Sequence, residues 1–342
     1  MTNKNPGVLY VMQEQDFLTG VPSDNVKIGI VKSPRVPAQR LPEHQTGNSR
    51  RLIIAREYPS SAVSQAEALI HARLSTKRLI QEWFISEDED KSKAFQGEIE
   101  LALREAAELA DLKDEVEKLK RRETKGKTRK ARDWELEAMV ELADYLCSIR
   151  ALEIQQAATK KELADASKNA FGIEMVAHWT FTPPSRTFKE DRLKTLDPKT
   201  HSSLLHEQVS GSLKLDLPPL SAPTKLEFPE ELENLCSEAV LLARTEHHEQ
   251  LHYKYLQDEA AISHLKTLAE AIRLRLAISM GGYERVTDVG SWVRKPKEGL
   301  VSGYRDQLKA NEPKLYEACL SLGNPSRGFE VTKFRSYPHL ER

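Results

Sequence analysis

The stretch Gly7–Lys32, GVLYVMQEQDFLTGVPSDNVKIGIVK, decides the fold of the first part of this chain. Residues 7–12 and 25–31 are rich in Val and Ile, as half-buried strands require. The segment between them carries Gly, Pro, Asp and Asn and reads as a turn or loop. Pairing Val8–Val11 with Val26–Ile30 sets Tyr10 beside Lys27. Working outward, residues 35–45 suit a short helix starting near Pro37, and Arg51–Tyr58 suits another strand. Ser61–Leu74 is helical by its apolar spacing at Ala62, Ala66, Leu69 and Ile70. Glu82-Trp83-Phe84-Ile85 closes the unit as a strand. The result is an α/β domain over residues 1–86, small but viable.

This domain gathers one of each group that phosphodiester hydrolysis asks for. Tyr10 is a general base if neighbouring positive charge lowers its pKa, and Lys27 is placed to do that. The Arg40 guanidinium can fork onto two phosphate oxygens and stabilise developing charge. His44, one turn on, faces the same side and can bond a phosphate or relay a proton. Glu82 can hold one Mg²⁺, which needs only one or two protein carboxylates. Each residue also has a plainer reading: a strand tyrosine, solvated charges, a strand-edge carboxylate. Glu67 and His71, four apart, are by default a helix-surface pair.

The order of these signatures resembles the GIY-YIG nuclease superfamily. The first motif reads Gly7-Val8-Leu9-Tyr10. The second reads Lys27-Ile28-Gly29, with Lys27 where many members carry tyrosine. Arg40-x3-His44, Glu67-x3-His71 and Glu82-Trp83-Phe84 complete a set similar to the subgroup in which KIG is usual. The resemblance implies catalytic roles for Tyr10, Lys27, Arg40, His44 and Glu82. It adds Gly29, Glu67 and His71 as secondary site residues, and Mg²⁺ or Mn²⁺ at Glu82. The family's late asparagine has no clear counterpart here. What is implied is a DNA endonuclease. The alternative is a DNA-binding or assembly protein that keeps only the fold.

The rest of the chain speaks mainly of architecture: an α+β protein in which long coiled-coil-like helices and two repeated modules follow the small domain. Ser86-Glu87-Asp88-Glu89 is a capping box. It should open a helix to about Arg122 with its seam at Ile99, Leu103, Ala106, Leu109, Leu112, Val116 and Leu119. Residues 87–132 then comprise this helix and a basic turn. A further helix, capped by Asp133, should run to about Ala170.

Residues 133–217 and 230–342 read as two copies of one module. Ala170-Phe171-Gly172-Ile173-Glu174 matches Met280-Gly281-Gly282-Tyr283-Glu284 at an offset of 110 residues. Trp179 matches Trp292 at 113, and Asp191–Lys199 matches Asp306–Lys314 at 115. Each copy should be a long helix, a Gly stop, a β-hairpin carrying the Trp, a short helix and a last strand, Ser212–Leu217 or Gly328–Phe334. A Pro-rich linker, 218–229, separates them, and Pro229 suits the first turn of the next helix. The second copy, about 256–331, is similar to the tail of YqaJ-type viral recombinase proteins. That implies a phage, mobile-element or anti-phage setting.

Of 342 residues, 51 are Lys or Arg and 52 Asp or Glu, so a nucleic-acid surface must come from local segregation. Between Lys118 and Arg132 nine residues are Lys or Arg and one is acidic. Lys120, Arg121, Arg122, Lys125, Lys127, Arg129 and Lys130 are therefore candidates for salt-sensitive backbone contact with DNA, or a solvated loop. Three scattered cysteines form no CxxC, which argues against a disulfide framework or a Cys-based zinc site. With no signal-peptide pattern and no apolar run of about 18–20 residues, a cytoplasmic protein with no membrane contact is expected. The amphipathic helices lead us to expect a homo-oligomer, and the modules leave room for a protein partner. His248-Glu249-Gln250-Leu251-His252 spells HExxH. Its polar preceding turn, Glu246-His247, reads as a solvated helix face rather than a zinc protease.

Overall fold

The computed structural model describes residues 4–46, 48–86, 89–220, 240–333 and 337. The first domain is built from β1 (Gly7–Gln15), β2 (Pro22–Lys32), α1 (Leu41–Gln45), β3 (Arg51–Ser60), α2 (Val63–Arg73), β4 (Arg78–Ile80) and β5 (Trp83–Ile85). The strands form an antiparallel sheet in the order β3-β1-β2-β5-β4. Alternation along each strand splits the side chains between two faces. Leu9, Val11, Val26, Ile28 and Phe84 enter the main core with Ala66 and Ile70 of α2. Tyr10, Met12 and Val31 point the other way, under Leu41 of α1. The sequence pattern anticipates all of these elements except β4, whose three residues are too short to show a period.

A boundary at residue 86 would cut through this core. α3 (Glu89–Lys120) supplies Phe95, Ile99, Ala102, Ala106 and Ala110 to it. Losing Phe95 and Ile99 alone would forfeit about 3–6 kcal/mol of apolar burial, a large share of a domain's net stability. The expected Ser86–Glu89 capping box runs through Glu87 and Asp88, outside the described residues.

The two segments expected to be copies of one module carry their elements in matching order, but they do not stand one after the other as separate modules. After β6 (Thr128–Arg129), copy one runs α4 (Asp133–Ala166), β7 (Gly172–Ile173), β8 (Ala177–Thr182), β9 (Arg186–Phe188), α5 (Glu190–Leu196), α6 (Pro198–Ser203), β10 (Leu205–Ser210) and β11 (Lys214–Leu215). After β12 (Leu241–Leu242), copy two runs α7 (Glu246–Met280), β13 (Arg285–Val286), β14 (Gly290–Ser291), β15 (Lys295–Leu300), α8 (Tyr304–Asn311), α9 (Pro313–Ala318), β16 (Leu320–Leu322) and β17 (Ser326–Val331). The strands then pair across the copies. One sheet is β12-β7-β8-β17 and its counterpart is β6-β13-β14-β11. β10 pairs with β15, and β16 with β9. Each copy's leading strand lies parallel to the strand that follows the other copy's long helix. α4 and α7 therefore pack antiparallel, and the two copies interlock as one pseudo-symmetric body.

This pairing corrects the repeat register. Arg285 stands 113 residues after Gly172, as Leu241 does after Thr128, and the two pairs occupy equivalent bridges. The Trp179 and Trp292 amides bond to the carbonyls of Phe171 and Glu284, again 113 apart. The AFGIE/MGGYE match at 110 is thus out of register by three. Gly281 does stop α7, at φ +52°. α4 ends earlier than expected, at Ala166, where the Ser167 hydroxyl donates to Leu163 and Ala164 carbonyls. Gly172 lies within β7 instead. Of the expected linker, Pro218–Leu220 is irregular, and 221–229, with Pro229, lies outside the described residues, as does Phe334.

The first domain sits on the long helix of copy two. Arg73, almost fully buried, donates to Glu98 at 3.0 Å and Glu105 at 2.6 Å on α3, and meets His264 Nδ1 of α7 at 2.8 Å. The buried Ser75 hydroxyl donates to the Leu256 carbonyl. His252 is also buried, which overturns the solvated-face reading of HExxH. Its Nδ1 meets Tyr337 Oη and its Nε2 meets the Thr332 carbonyl. His248 accepts from the Thr245 amide at the helix start. With both His252 nitrogens engaged, the pair cannot face a common zinc without breaking these bonds. No helix among the described residues is long and apolar enough to cross a membrane.

Candidate active site

Four pieces of backbone converge on the sheet face opposite the main core. β1 contributes Tyr10 and β2 contributes Lys27 and Gly29. A 3-10 turn at Pro37–Gln39 leads into α1 and carries Arg40 and His44. The β4–β5 turn carries Glu82, where Gln81 takes φ +51° and the Ile28 amide donates to the Glu82 carbonyl.

Tyr10 lies opposite Gly29 in the strand register, and Lys27 lies opposite Met12. Tyr10 and Lys27 thus share a face but are offset diagonally. Gly29 is required by the phenol above it: a Cβ there would lie 2.5 Å from Tyr10 Oη and 2.7 Å from its Cζ. Lys27 does not serve Tyr10 directly. Its ammonium is buried and bonded to the Glu82 carboxylate, half-exposed at the cleft. Burial pushes the Glu82 carboxyl up. The Lys27 bond and charge, with His71 and His44, outweigh that and hold it below the usual range.

The partner of Tyr10 is His44, with Oη 3.2 Å from Nε2. Tyr10 does not have the lowered pKa that its role as a free base requires. It is 1% exposed, and burial raises the phenol's pKa beyond what the hydrogen bond and charge of Arg40 take back. His44 moves the other way: burial, then the charges of Lys27 and Arg40, lower it. At neutral pH the couple is therefore a protonated phenol facing a neutral imidazole. Arg40 is shared between Tyr10 and Glu43, and Arg35 holds Glu43 from its other side at 2.5 Å. Glu43 gives no motif signal and escapes sequence reasoning, though it lies three residues from Arg40 on the same helical face.

Glu67 and His71 are not a plain surface pair. Glu67 is raised first by burial and then by the charge of Glu82. His71 is pushed down to about 4 by burial and Arg78, against Phe84 at 5.3 Å between ring centres. His71 is therefore neutral at pH 7 and packs on the Phe84 ring. Arg78, which no motif singles out, adds positive charge behind Glu82 and Glu67. Among the described residues no three His, Cys, Asp or Glu side chains form a metal-binding group. Two carboxylates there, Glu82 and Glu67, repel each other. Their mutual repulsion is what a hard divalent cation would relieve, and Mg²⁺ asks for no more than one or two.

Residues 7–100 match the T5orf172 domain. This is a nuclease-like family. The matched span runs from β1 into α3, as the shared core does. No curated protein and no solved structure matches the chain.

The basic candidates lie elsewhere. Ten residues of helix, about 15 Å, separate Lys120 from Ala110, the last residue of α3 in the domain core. Lys120, Arg121, Arg122, Lys125, Lys127 and Lys130 are exposed. Arg129 is not available in the same way. It is bonded to the fully buried Glu135 at 2.7 Å and to the Ser279 carbonyl at 3.0 Å. This segment is more than a turn, since β6 within it pairs with β13.

Proposed function

We propose that this protein is a Mg²⁺- or Mn²⁺-dependent endonuclease that hydrolyses DNA phosphodiester bonds. The observation that carries the reading is the set of contacts on one sheet face, where Tyr10 pairs with His44, Arg40 reaches Tyr10, and Lys27 pairs with Glu82. Arg40 turns from Glu43 to the phosphate and offsets its developing charge. The water oxygen attacks phosphorus as the P–O bond to the leaving sugar oxygen breaks, and that oxygen takes a proton from solvent to leave as a hydroxyl. The water proton passes to Tyr10 Oη while Tyr10 hands its own to neutral His44 Nε2, so the phenol never has to ionise. Bound to Glu82, with Glu67 behind it, a divalent cation would supply Lewis acidity for the leaving oxygen. The exposed basic residues from Lys120 to Lys130 hold the DNA backbone further along.

The test is cleavage of plasmid, linear and single-stranded DNA with Mg²⁺ or EDTA, comparing wild type with Glu82→Ala. Metal-dependent cutting lost in the variant supports the reading. One observation favours a binding module instead: Lys27 and Arg40 are both held by carboxylates. If neither protein cuts any substrate yet both retard DNA in a gel, that reading replaces ours.

We further propose self-association through α4. On α7 the face that includes Leu256, Ala260, His264 and Thr267 meets the first domain. The equivalent α4 positions are Ala143, Cys147, Ala151 and Ile154. With Leu136 and Val140 they form a stripe of which Val140 is 64% exposed. The first domain of a second copy is occupied by its own α7, so the fitting partner is the α4 stripe of that copy, around a two-fold near Cys147. Rapid cross-linking through Cys147 by a short bismaleimide supports this; a monomeric mass in solution at all concentrations rejects it. The resemblance of the second copy to YqaJ-type tails supports phage, mobile-element or anti-phage DNA processing by analogy.

A further inference from the structure

Trp83 has no place in the apolar cores. Its neighbour Phe84 is fully buried among the core residues beneath the sheet. Trp83, one residue earlier, points to the opposite face and belongs to none of the five apolar clusters of the described residues. It lies directly across from Lys27 in the β2–β5 register, a separation of about 5 Å between Cβ atoms. It also follows Glu82 in the chain. Its half-buried indole lines an open cleft of about 500 Å³ together with Lys27 and His44. That volume lies within the usual range for ligand sites.

The wall of the same cleft is polar and held in place. Asn48 Nδ2 donates to Glu14 Oε1 at 3.1 Å, and Asn25 Nδ2 to Glu14 Oε2 at 3.4 Å. Glu14 has only 14% of its side chain exposed, and Arg50 Nε stands 3.9 Å away. The cleft thus offers an aromatic platform, amide groups in fixed orientation, and the phosphate chemistry beside them. An aromatic ring unused by packing, next to a phosphate site, is the arrangement on which a nucleobase stacks. In an intact duplex each base is stacked and paired inside the helix, out of reach of such a platform.

We infer that Trp83 is the stacking platform of a base subsite beside the scissile phosphate, with Asn25 and Asn48 facing the edge of the base, and that the substrate carries an unpaired nucleotide there. The inference rests on the nuclease reading for its position and deepens it by naming the substrate class. Trp83 acts on binding and register, not on the bond being broken.

The test is made in EDTA, where nothing is cut. A fluorescein-labelled oligo(dT) and a blunt duplex of equal length are titrated with wild type, Trp83→Ala and Trp83→Phe. Trp83→Ala should bind the single strand about 5- to 150-fold more weakly. Trp83→Phe, which keeps a ring, should recover most of the loss. Duplex binding, carried by phosphate contacts, should not change. Equal single-strand affinity for wild type and a folded Trp83→Ala overturns the proposal, and so does equal weakening on both probes. Cleavage with Mg²⁺ is scored separately. Wild type that cuts nothing but shows the Trp83 effect sinks the nuclease reading alone. Cutting that depends on Glu82, with no Trp83 effect, sinks the subsite alone.

Discussion

Adding one methyl at Gly29 is the sharpest probe of the site. The Cβ of Gly29→Ala would lie 2.5 Å from Tyr10 Oη, where ordinary contact begins at 3.4 Å. The phenol must therefore move by about 0.9 Å, and its ring, 1% exposed, is packed against neighbours. A shift of that size takes the phenol out of its present 3.2 Å hydrogen-bonding geometry with His44. A displacement of this size at the chemistry costs about 100-fold in rate, while overpacking of the fold costs about 1–3 kcal/mol. The assay is single-turnover cleavage beside thermal melting, so that lost activity is measured on folded protein. In a Tyr10→Ala background the same change should add little, because no ring remains to displace. A Gly29→Ala protein that cuts at the wild-type rate would refute the placement of the Tyr10 phenol at the reacting phosphate.

Three further outcomes are expected. The acid limb of kcat/KM should fall below the ordinary histidine value of about 6.5, because burial lowers His44. As pH drops through its pKa, Nε2 is protonated and can no longer take the Tyr10 proton, and a limb above 6.5 would contradict this. Glu135→Ala should destabilise the protein by about 3–5 kcal/mol in denaturant melts, since it strands the Arg129 charge. The Glu135 carboxyl is held down to about 2 by Arg129. Its contribution is therefore full above the unfolded value near 4.5 and is lost as pH falls toward 2, which melts at pH 7 and pH 3 would read. Replacing Lys125, Lys127 and Lys130 by Ala should weaken single-strand and duplex binding alike. The salt dependence should become shallower by about 0.7–0.9 in log–log slope for each phosphate that is no longer neutralised; an unchanged slope would take the loop off the DNA path.

Much of the proposed catalytic set is legible in the sequence because each member is tied to a local element. Tyr10 and Lys27 alternate on strands, and Arg40 and His44 are one helical turn apart. What joins them is not local. Lys27 pairs with Glu82, 55 residues on, and Tyr10 pairs with His44 across the sheet face. The sequence suggests that a cation lowers the Tyr10 pKa. In the folded domain burial wins instead, because the Tyr10 ring itself is almost wholly enclosed. Burial is a property of the packed whole, so no motif carries it. Arg129 shows the same limit: within its basic run it is indistinguishable from Lys127, yet it is matched with a carboxylate sealed beneath it.

The sequence by itself determined the strands and helices of the first domain apart from β4, and the long helices, since these follow from periods of two and 3.6 residues. Only the tertiary structure decided that the first domain's core extends into α3, that equivalent strand bridges lie 113 residues apart, and that strands of residues 128–215 and 241–331 complete each other's sheets. The two-residue strands β6, β7, β12 and β13 have no local preference for a partner. They pair where the antiparallel packing of α4 on α7 brings the start of one helix beside the end of the other, and that geometry exists only once the chain has folded.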